Sequence, residues 1–392
     1  MNIQLSQRIQ TTGKYAFAAI DEKVAELQSQ GVKVIDFGVG DPKTPPPSFV
    51  IEHLNQFAEK RKTTGYPSYI GSKEFRQACA DYMKREFDIA LNVETEICST
   101  IGSKEAVFHF PLTLVDEGDV VICPSPGYPP YKNGTRFAGG TVYTAPLLEE
   151  NKFLIDFESI PQEICDKAKI IWINYPNSPT GAMATDDWYK QLIAWARKNN
   201  IVIAADEGCY IEIYFDKKPK SILAFGKEGI ITFYSMSKRN NMTMFRSGFV
   251  AGDEKLVAAF KKVKTNIDSG TPTFIQDVSA LALQDTNHIE GMRKEYDEKR
   301  AIILSAFEKK GLPLCKSDST FYIWQKAPQG KTGEDLANSL VDIGIVVIPG
   351  AAISDATASG INPGQNYVRL ALVPTLDEIK EAAKRIAEEL VL

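Results

Sequence analysis

The chain has 392 residues, of which 44% are hydrophobic and 24% charged, so it is long enough to bury a large core and to form two domains. Its formal charge of -5, with both signs interspersed, leaves no basic face for nucleic acid or anionic lipid and argues against both partners. No stretch approaches the roughly 18 apolar residues of a membrane span, and the N-terminus lacks the layout of a signal peptide, so we expect a cytoplasmic protein.

The six cysteines and three histidines lie far apart in the sequence. Without close pairs or a neighbouring acidic cluster, they favour reduced thiols over disulfides and predict no metal site.

The N-terminal part of the chain predicts helices separated by glycine and proline turns. Apolar residues recur at helical spacing from about Lys14 to Gln30, at about 48 to 60 and at about 72 to 87. Between the first two, a short strand at 34–37 runs into the turn Gly38-Val39-Gly40 and a proline-rich loop.

From there strands and helices alternate. The segment Gly102-Ser103-Lys104 opens a helix, and Thr185 caps another. Predicted strands cover residues 119–122, 141–145, 169–174, 201–205, 229–234 and 248–251. Nearly unbroken apolar strands separated by helices indicate a mostly parallel sheet covered on both faces, hence an α/β domain.

The pattern changes after about residue 285. A charged helical run at 292–310 is followed by strands at 320–324, 345–349 and 367–372, and by a last helix with a capping box at Thr375 and Glu378. We predict an N-terminal segment (1–47) that contributes to a small domain, a large domain (48–285) and a small C-terminal α+β domain (286–392).

Polar residues follow several of the predicted parallel strands. Asp206 ends one, Ser235 and Lys238 end another, and the loop 174–181 follows a third. Ligands bind beyond the carboxyl ends of such strands, so these residues are expected to converge. Taken singly, each also has a plain structural explanation, such as a solvated lysine or a helix cap.

The order of these motifs resembles pyridoxal-phosphate enzymes of fold type I, specifically the class I/II aminotransferases. The resemblance rests on a strand ending in Asp206, a strand ending in Ser235-x-x-Lys238 and the Asn-rich loop with Pro179-Thr180-Gly181, and it covers essentially the whole chain. It implies a large domain with a mostly parallel central sheet, a smaller α+β domain built from both termini, pyridoxal 5'-phosphate as cofactor, and a homodimer with shared active sites.

The resemblance also assigns the central roles. Lys238 would bind the cofactor aldehyde covalently and, once released by an amino acid, move the proton of the substrate carbon. Asp206 would keep the pyridine nitrogen protonated, and Tyr210 would hydrogen-bond the 3′ oxygen of the cofactor. Arg369 would clamp the substrate α-carboxylate, with the Gly40 backbone close to the substrate.

The remaining predicted ligands surround the same cofactor. Tyr128 would stack on its ring, and Asn177 and Ser178 would lie beside its oxygen and the substrate carboxylate. The phosphate would be bound by Gly102, Ser103, Lys104, Ser235, Arg246 and, from the partner subunit, Tyr66.

Three residues depart from the family pattern. Ser178 replaces the asparagine usual before Pro-Thr-Gly, which predicts weaker substrate carboxylate binding or rescue by Asn177. Tyr210 lies one position later than usual after Asp206, an extra residue that a bulge at Gly208 can absorb. Met244 stands where glycine is frequent and is expected to crowd the cofactor side.

The segment from Arg239 to Asp253 is similar to aminotransferases of the diaminopimelate branch, N-succinyl and LL types, most of all the N-succinyl type. We therefore predict amino transfer between glutamate and 2-oxoglutarate on one side and a diaminopimelate-pathway keto acid, in lysine biosynthesis, on the other. Two alternatives remain open: an aminotransferase of aspartate, aromatic or broad specificity, and a regulatory protein that binds the cofactor without turnover.

Overall fold

The structure is a computed structural model that describes residue 1 and residues 3–10 and 18–392. Its strands are β1 (Ile35–Asp36), β2 (Ile97–Thr100), β3 (Val120–Ser125), β4 (Thr141–Pro146), β5 (Ala168–Ile173), β6 (Val202–Gly208), β7 (Ile230–Ser235), β8 (Gly248–Gly252), β9 (Tyr322–Lys326), β10 (Ile345–Val346), β11 (Ile348–Pro349) and β12 (Tyr367–Ala371). Its α-helices are α1 (Gln7–Gln10), α2 (Ala18–Ser29), α3 (Ser48–Arg61), α4 (Lys73–Phe87), α5 (Ser103–His109), α6 (Pro129–Phe137), α7 (Gln162–Cys165), α8 (Asp186–Lys198), α9 (Met236–Arg239), α10 (Glu254–Lys264), α11 (Thr273–Gln284), α12 (Asn287–Lys309), α13 (Gly333–Asp342) and α14 (Leu376–Glu388).

The helix predicted from about Lys14 is present as α2 from Ala18 onward, and residues 14–17 lie outside the described residues. Strand β2 has no counterpart among the predicted strands, because two of its four buried residues, Ser99 and Thr100, are polar and break the apolar run that marks the predicted strands.

The central sheet has seven strands in the order β2-β8-β7-β6-β5-β3-β4. The five strands from β7 to β4 pair in parallel, whereas β8 runs antiparallel to both β7 and β2. All six residues of β3 and of β7 are buried, as expected for strands covered on both faces. The predicted α/β fold with a mostly parallel sheet is confirmed.

The two faces of this sheet bury separate apolar clusters. Successive side chains of a strand point to opposite faces, so Ile171 and Ile173 lie in one cluster and Ile170 and Trp172 in the other. Helix α8 covers the first face. Its cap is the predicted one, since Thr185 Oγ1 accepts a hydrogen bond from the Trp188 amide at 3.2 Å.

The C-terminal part forms a second layer that includes the N-terminal strand. The antiparallel sheet β11-β12-β9 adjoins the parallel pair β1-β10, in which Ile35 lies opposite Ile345. The predicted capping box of α14, Thr375 with Glu378, is present. Both termini thus build the smaller α+β part, as predicted. The exact boundaries after residues 47 and 285 stay a prediction.

Within residues 3–10 and 18–392, no helix has the length and apolar character needed to cross a membrane.

Candidate active site

The carboxyl ends of β5, β6 and β7 lie side by side because these strands are parallel neighbours. Asn174 follows β5, Asp206 lies near the end of β6, and Ser235 ends β7. Helix α9 begins at once, and Ser235 Oγ caps it by accepting a hydrogen bond from the Ser237 amide at 3.1 Å. Lys238 therefore stands on a fixed helical turn directly after a buried strand.

Lys238 contacts the N-terminal loop. Its half-buried Nζ donates a hydrogen bond to the Gly40 carbonyl oxygen and lies 5.9 Å from the centre of the Phe321 ring. At Gly40 a Cβ atom would lie 2.9 Å from Tyr322 Cζ and closer still to its hydroxyl, so only glycine fits here. The structure thus brings together the predicted lysine and the predicted substrate-side glycine.

Arg369 lies at the same loop. Its Nη2 donates to the Gly38 carbonyl oxygen at 2.7 Å, and its guanidinium lies 4.9 Å from the centre of the Tyr322 ring. The residue is 7% exposed on the central strand of the C-terminal sheet. Tyr322, which touches both Gly40 and Arg369, links the predicted carboxylate clamp to the lysine.

Tyr210 joins this group through Tyr322, whose hydroxyl lies 3.3 Å from its own. Burial raises the pKa of Tyr210 well above its usual value, so the hydroxyl is a neutral hydrogen-bond donor near neutral pH. A register shift lies next to the bulge predicted at Gly208. The pairing of β6 with β7 shifts register between Ala205 and Gly208, so the irregularity falls just before the predicted glycine.

Asp206 is 5% exposed, and its Oδ2 accepts a hydrogen bond from the Tyr131 hydroxyl at 2.7 Å. Burial raises the pKa of the Asp206 carboxyl to about 6, and the hydrogen bonds from Tyr131 and from the weakly donating Cys209 thiol limit the rise. Among the described residues, its buried Oδ1 has no N–H or O–H donor in hydrogen-bond geometry. A buried oxygen in that state is suited to a donor supplied by a ligand.

Arg246 stands over the start of α5. It adopts the left-handed conformation with φ of 53°, and its Nη1 donates to Ser237 Oγ at 3.2 Å and to the Thr243 carbonyl oxygen at 2.8 Å. A Cβ at Gly102, whose φ is 71°, would lie 2.9 Å from Arg246 Cζ and closer to Nη2. With Ser235 Oγ, 2.9 Å from Ser237 Oγ, these groups form a cationic, hydroxyl-rich cup. We call Gly102, Ser235, Ser237 and Arg246 the anion cup.

The first residue of α5 connects the anion cup to β6. Ser103 is buried, and its Oγ lies 3.4 Å from Cys209 Sγ, three residues after Asp206. Lys104, the next residue, is exposed. The predicted ligands Ser103 and Asp206 are thereby connected through Cys209.

The loop after β5 uses its polar groups internally. Asn177 is 1% exposed, its Nδ2 donates to the Asn174 carbonyl oxygen at 3.1 Å, and its Oδ1 accepts from Thr180 Oγ1 at 2.7 Å. The amide of Ser178 donates to Asn174 Oδ1 at 2.8 Å. Asn177 stays a predicted cofactor ligand. Both polar atoms of its side chain already bond its own loop, so Asn177 would have to break these bonds to make the contacts that the shorter Ser178 cannot make.

The other predicted residues lie near this site or at the surface. The half-buried Tyr128 directly precedes α6 and packs edge-on against Tyr131, with ring centres 5.9 Å apart. Tyr66 is 87% exposed and Met244 is 82% exposed. On the single chain Met244 therefore points to solvent and does not fill the anion cup.

Sequence reasoning missed two residues that touch the predicted ones: Tyr131 bonds the Asp206 carboxylate, and Tyr322 contacts Gly40, Arg369 and Tyr210. From the loop 174–181, which was expected to converge here, the Asn174 side-chain amide donates to the Asp206 carbonyl oxygen. A signal existed for Tyr131, which follows Tyr128 at a helical spacing of three. Tyr322 lies in a predicted strand, and nothing in its own segment indicates which loop it faces.

Together these groups fit a phosphate-bearing pyridine aldehyde. The anion cup matches a phosphate, Lys238 supplies an amine for the aldehyde, and the unpartnered Asp206 Oδ1 can accept a hydrogen bond from a ring N–H.

Comparison with known proteins gives the family of the chain. Residues 32–386 match the family model of aminotransferase class I and II, whose members use pyridoxal phosphate. The chain is 45% identical over 388 residues to an LL-diaminopimelate aminotransferase of Aquifex aeolicus, and 41% identical over 391 residues to one of Maridesulfovibrio salexigens. These alignments cover 98% of this chain in both cases, and 98% and 99% of the respective relatives.

Among solved structures, the chain is similar to apo-BacF of Bacillus subtilis, with a TM-score of 0.91 and 31% identity over 100% of this chain and 99% of that one. The resemblance inferred from Asp206, Lys238 and the Pro-Thr-Gly loop is therefore confirmed: the chain belongs to the class I and II aminotransferases and is an enzyme of that family.

Proposed function

We propose that this protein is a pyridoxal-phosphate-dependent aminotransferase that moves an amino group between glutamate and the keto form of LL-diaminopimelate, in lysine biosynthesis. Similarity of 41–45% over nearly the whole length to two enzymes named for that substrate supports the choice. It favours the LL over the N-succinyl type. Glutamate and 2-oxoglutarate as the second pair follow from the resemblance of the sequence to the family.

The observation that carries the cofactor proposal is the buried Asp206 carboxylate with its unpartnered Oδ1. A buried carboxylate oxygen without a donor is costly, and a protonated pyridine nitrogen would remove that cost and keep the carboxylate charged. When bound, the cofactor supplies an aldehyde that bonds amines and a ring that takes up the electron pair left on the substrate carbon after proton removal.

The residues of the chain have separate tasks in this proposal. Lys238 holds the cofactor covalently in the resting enzyme, and its freed Nζ then takes the proton from the substrate Cα. Arg369 orients the α-carboxylate with its planar fork, and Tyr210 donates a hydrogen bond to the cofactor's phenolic oxygen. The anion cup holds the phosphate, with Ser103 and Lys104 at the start of α5.

We also propose a homodimer with shared sites. Tyr66, Tyr69 and Met244 are large side chains that are exposed by 87%, 45% and 82% on the single chain. A second subunit would cover them and would bring its Tyr66 to the anion cup. The cytoplasmic location stays a prediction.

The test is amino transfer by purified protein supplied with pyridoxal phosphate, 2-oxoglutarate and LL-diaminopimelate, read as glutamate formed. We expect turnover with LL-diaminopimelate and much less with aspartate, aromatic amino acids or N-succinyl-LL-diaminopimelate. Preference for aspartate or an aromatic amino acid would replace the substrate proposal and keep the class. Bound cofactor without any turnover would support the regulatory alternative.

A further inference from the structure

Arg239 directly follows Lys238 in α9 and is 3% exposed. A charged side chain buried to this degree needs partners for its charge and for its hydrogen-bond donors. Because Arg239 and Lys238 are adjacent in one helical turn, contacts that hold Arg239 in place also restrict the backbone that carries Lys238.

The guanidinium of Arg239 uses all five of its N–H donors. Their acceptors come from three parts of the fold and are Glu212 Oε2 (from Nε), Asn240 Oδ1 at 2.9 Å and the Ala282 carbonyl oxygen at 2.7 Å (both from Nη1), and the carbonyl oxygens of Leu283 at 3.4 Å and Asp285 at 3.3 Å (both from Nη2). Three of these acceptors are carbonyls at the C-terminal end of α11, where helical carbonyls lack partners and a cation is favoured.

Glu212 completes the cluster from the loop after β6. Its side chain is 7% exposed and also accepts a hydrogen bond from the Tyr82 hydroxyl at 3.2 Å, while the Arg239 guanidinium lies 5.0 Å from the centre of the Tyr82 ring. A buried ion pair of this kind stabilises a fold little more than well-packed apolar residues would. What distinguishes this cluster is its geometry, because five hydrogen bonds fix the Arg239 side chain in one orientation.

A fixed Arg239 also limits the movement open to its neighbour Lys238. Neighbouring residues on a helix project about 100° apart, so a side chain pinned on one side prevents the short helix from turning about its axis. Since Nζ lies far from the axis, a rotation of roughly 10° would move it on the order of 1 Å, a displacement that can cost about 100-fold in rate.

We propose that Arg239 is a positioning residue that, through its ion pair with Glu212 and its bonds to the end of α11, fixes the direction in which Lys238 is presented. This inference rests on the proposed function, in which Lys238 bonds the cofactor.

The experiment compares two forms of the cofactor on cofactor-free protein. Pyridoxal phosphate forms a covalent link with Lys238, measured as the rate at which borohydride-reducible label appears on the peptide containing Lys238. Pyridoxamine phosphate has no aldehyde and reports non-covalent binding alone. For Arg239→Met we expect covalent capture to slow about 100-fold, with pyridoxamine phosphate affinity within about threefold of wild type. With cofactor saturating, kcat falls and KM for the amino acid changes little, because Arg369 is untouched.

Two further variants separate positioning from folding. Arg239→Met/Glu212→Gln leaves no uncompensated buried charge and keeps an acceptor for Tyr82, so it recovers stability in urea unfolding while capture stays slow. Arg76→Met is the matched control. Arg76 is 6% exposed and donates to Glu94 Oε2 at 3.0 Å and to backbone carbonyls, so its loss destabilises the fold but leaves the capture rate unchanged.

The outcomes are distinct. Equal loss of affinity for both cofactor forms in the Arg239 variants, or capture as fast as in wild type, overturns the positioning role while leaving the proposed function intact. If wild-type protein forms no reducible link at Lys238, the proposed function fails, and the inference fails with it.

Discussion

Replacing Gly102 by alanine is expected to weaken cofactor binding through Arg246. The new methyl group would lie 2.9 Å from Arg246 Cζ and closer to Nη2, so the guanidinium must leave its place in the anion cup. Gly229→Ala is the matched control: Gly229 has φ of 72°, close to the 71° of Gly102, but nothing lies within 4 Å of its added Cβ.

The magnitude follows from the difference between the two variants. Both place alanine at a positive φ, where an L side chain strains the backbone and lowers folding stability, and at Gly102 the ψ of 167° lies in a region that only glycine readily adopts. Only Gly102→Ala also loses a charge-assisted hydrogen bond to the phosphate, worth about 1.5–3 kcal/mol. Since 1.4 kcal/mol is about tenfold in affinity, pyridoxal phosphate should bind roughly 10- to 100-fold more weakly to Gly102→Ala than to Gly229→Ala.

The assay is equilibrium titration of cofactor-free protein with pyridoxal phosphate and, separately, with inorganic phosphate as a competitor. Both affinities should fall together in Gly102→Ala, because the two ligands share the anion cup. Equal affinities of the two variants for pyridoxal phosphate would refute the assignment of the phosphate to Arg246.

Three further predictions concern buried or clamping groups. Burial raises the pKa of Glu207, which is 1% exposed and accepts from Tyr234 Oη at 2.6 Å, to about 7. This folded-state pKa lies above the unfolded value of about 4.3, so the stabilising contribution of Glu207 is full at low pH and is lost as pH rises through 7. In urea unfolding of cofactor-free protein, the free energy of unfolding of Glu207→Gln relative to wild type should therefore rise by up to ~3 kcal/mol between pH 5 and 8.5. A difference between the two proteins that does not change with pH would contradict this. Arg369→Lys should raise KM for amino acid substrates about 100-fold with cofactor affinity unchanged, whereas an unchanged KM would remove Arg369 from substrate binding. Tyr131→Phe deletes a hydrogen bond that favours the charged carboxylate, so the pKa of Asp206 in cofactor-free protein should rise above about 6, which carboxyl-labelled NMR would detect; a lower or equal pKa would count against the bond.

The sequence predicted the main sheet because its strands are buried on both faces and their apolar runs are unbroken. Asp206 and Lys238 could be found for the same reason, since parallel strands bring their carboxyl ends to one edge. Strand β2 was missed, because its polar Ser99 and Thr100 interrupt the apolar run and its antiparallel pairing with β8 depends on contacts distant in sequence.

Contacts made by side chains across the fold were beyond sequence reasoning. Tyr322 reaches Tyr210 from 112 positions away, with no signal in its own segment. Tyr131 reaches Asp206 from 75 positions away, and its helical spacing from Tyr128 does not reveal which carboxylate it bonds. Arg239 shows the difference most clearly. Its sequence context suggested a substrate branch, whereas the structure buries it against Glu212 and the end of α11.

The most direct test of the account follows the amino group itself. LL-diaminopimelate labelled with ¹⁵N is incubated with 2-oxoglutarate and either wild-type protein or the Lys238→Ala variant, both saturated with pyridoxal phosphate, and ¹⁵N-glutamate is measured by mass spectrometry. We predict rapid transfer of label by wild type and a loss of at least about 1,000-fold in Lys238→Ala, which lacks both the covalent attachment and the proton-transferring amine. If wild-type protein forms no ¹⁵N-glutamate, transfer of the amino group from LL-diaminopimelate is contradicted. If the two proteins transfer the label equally fast, the central role of Lys238 is contradicted.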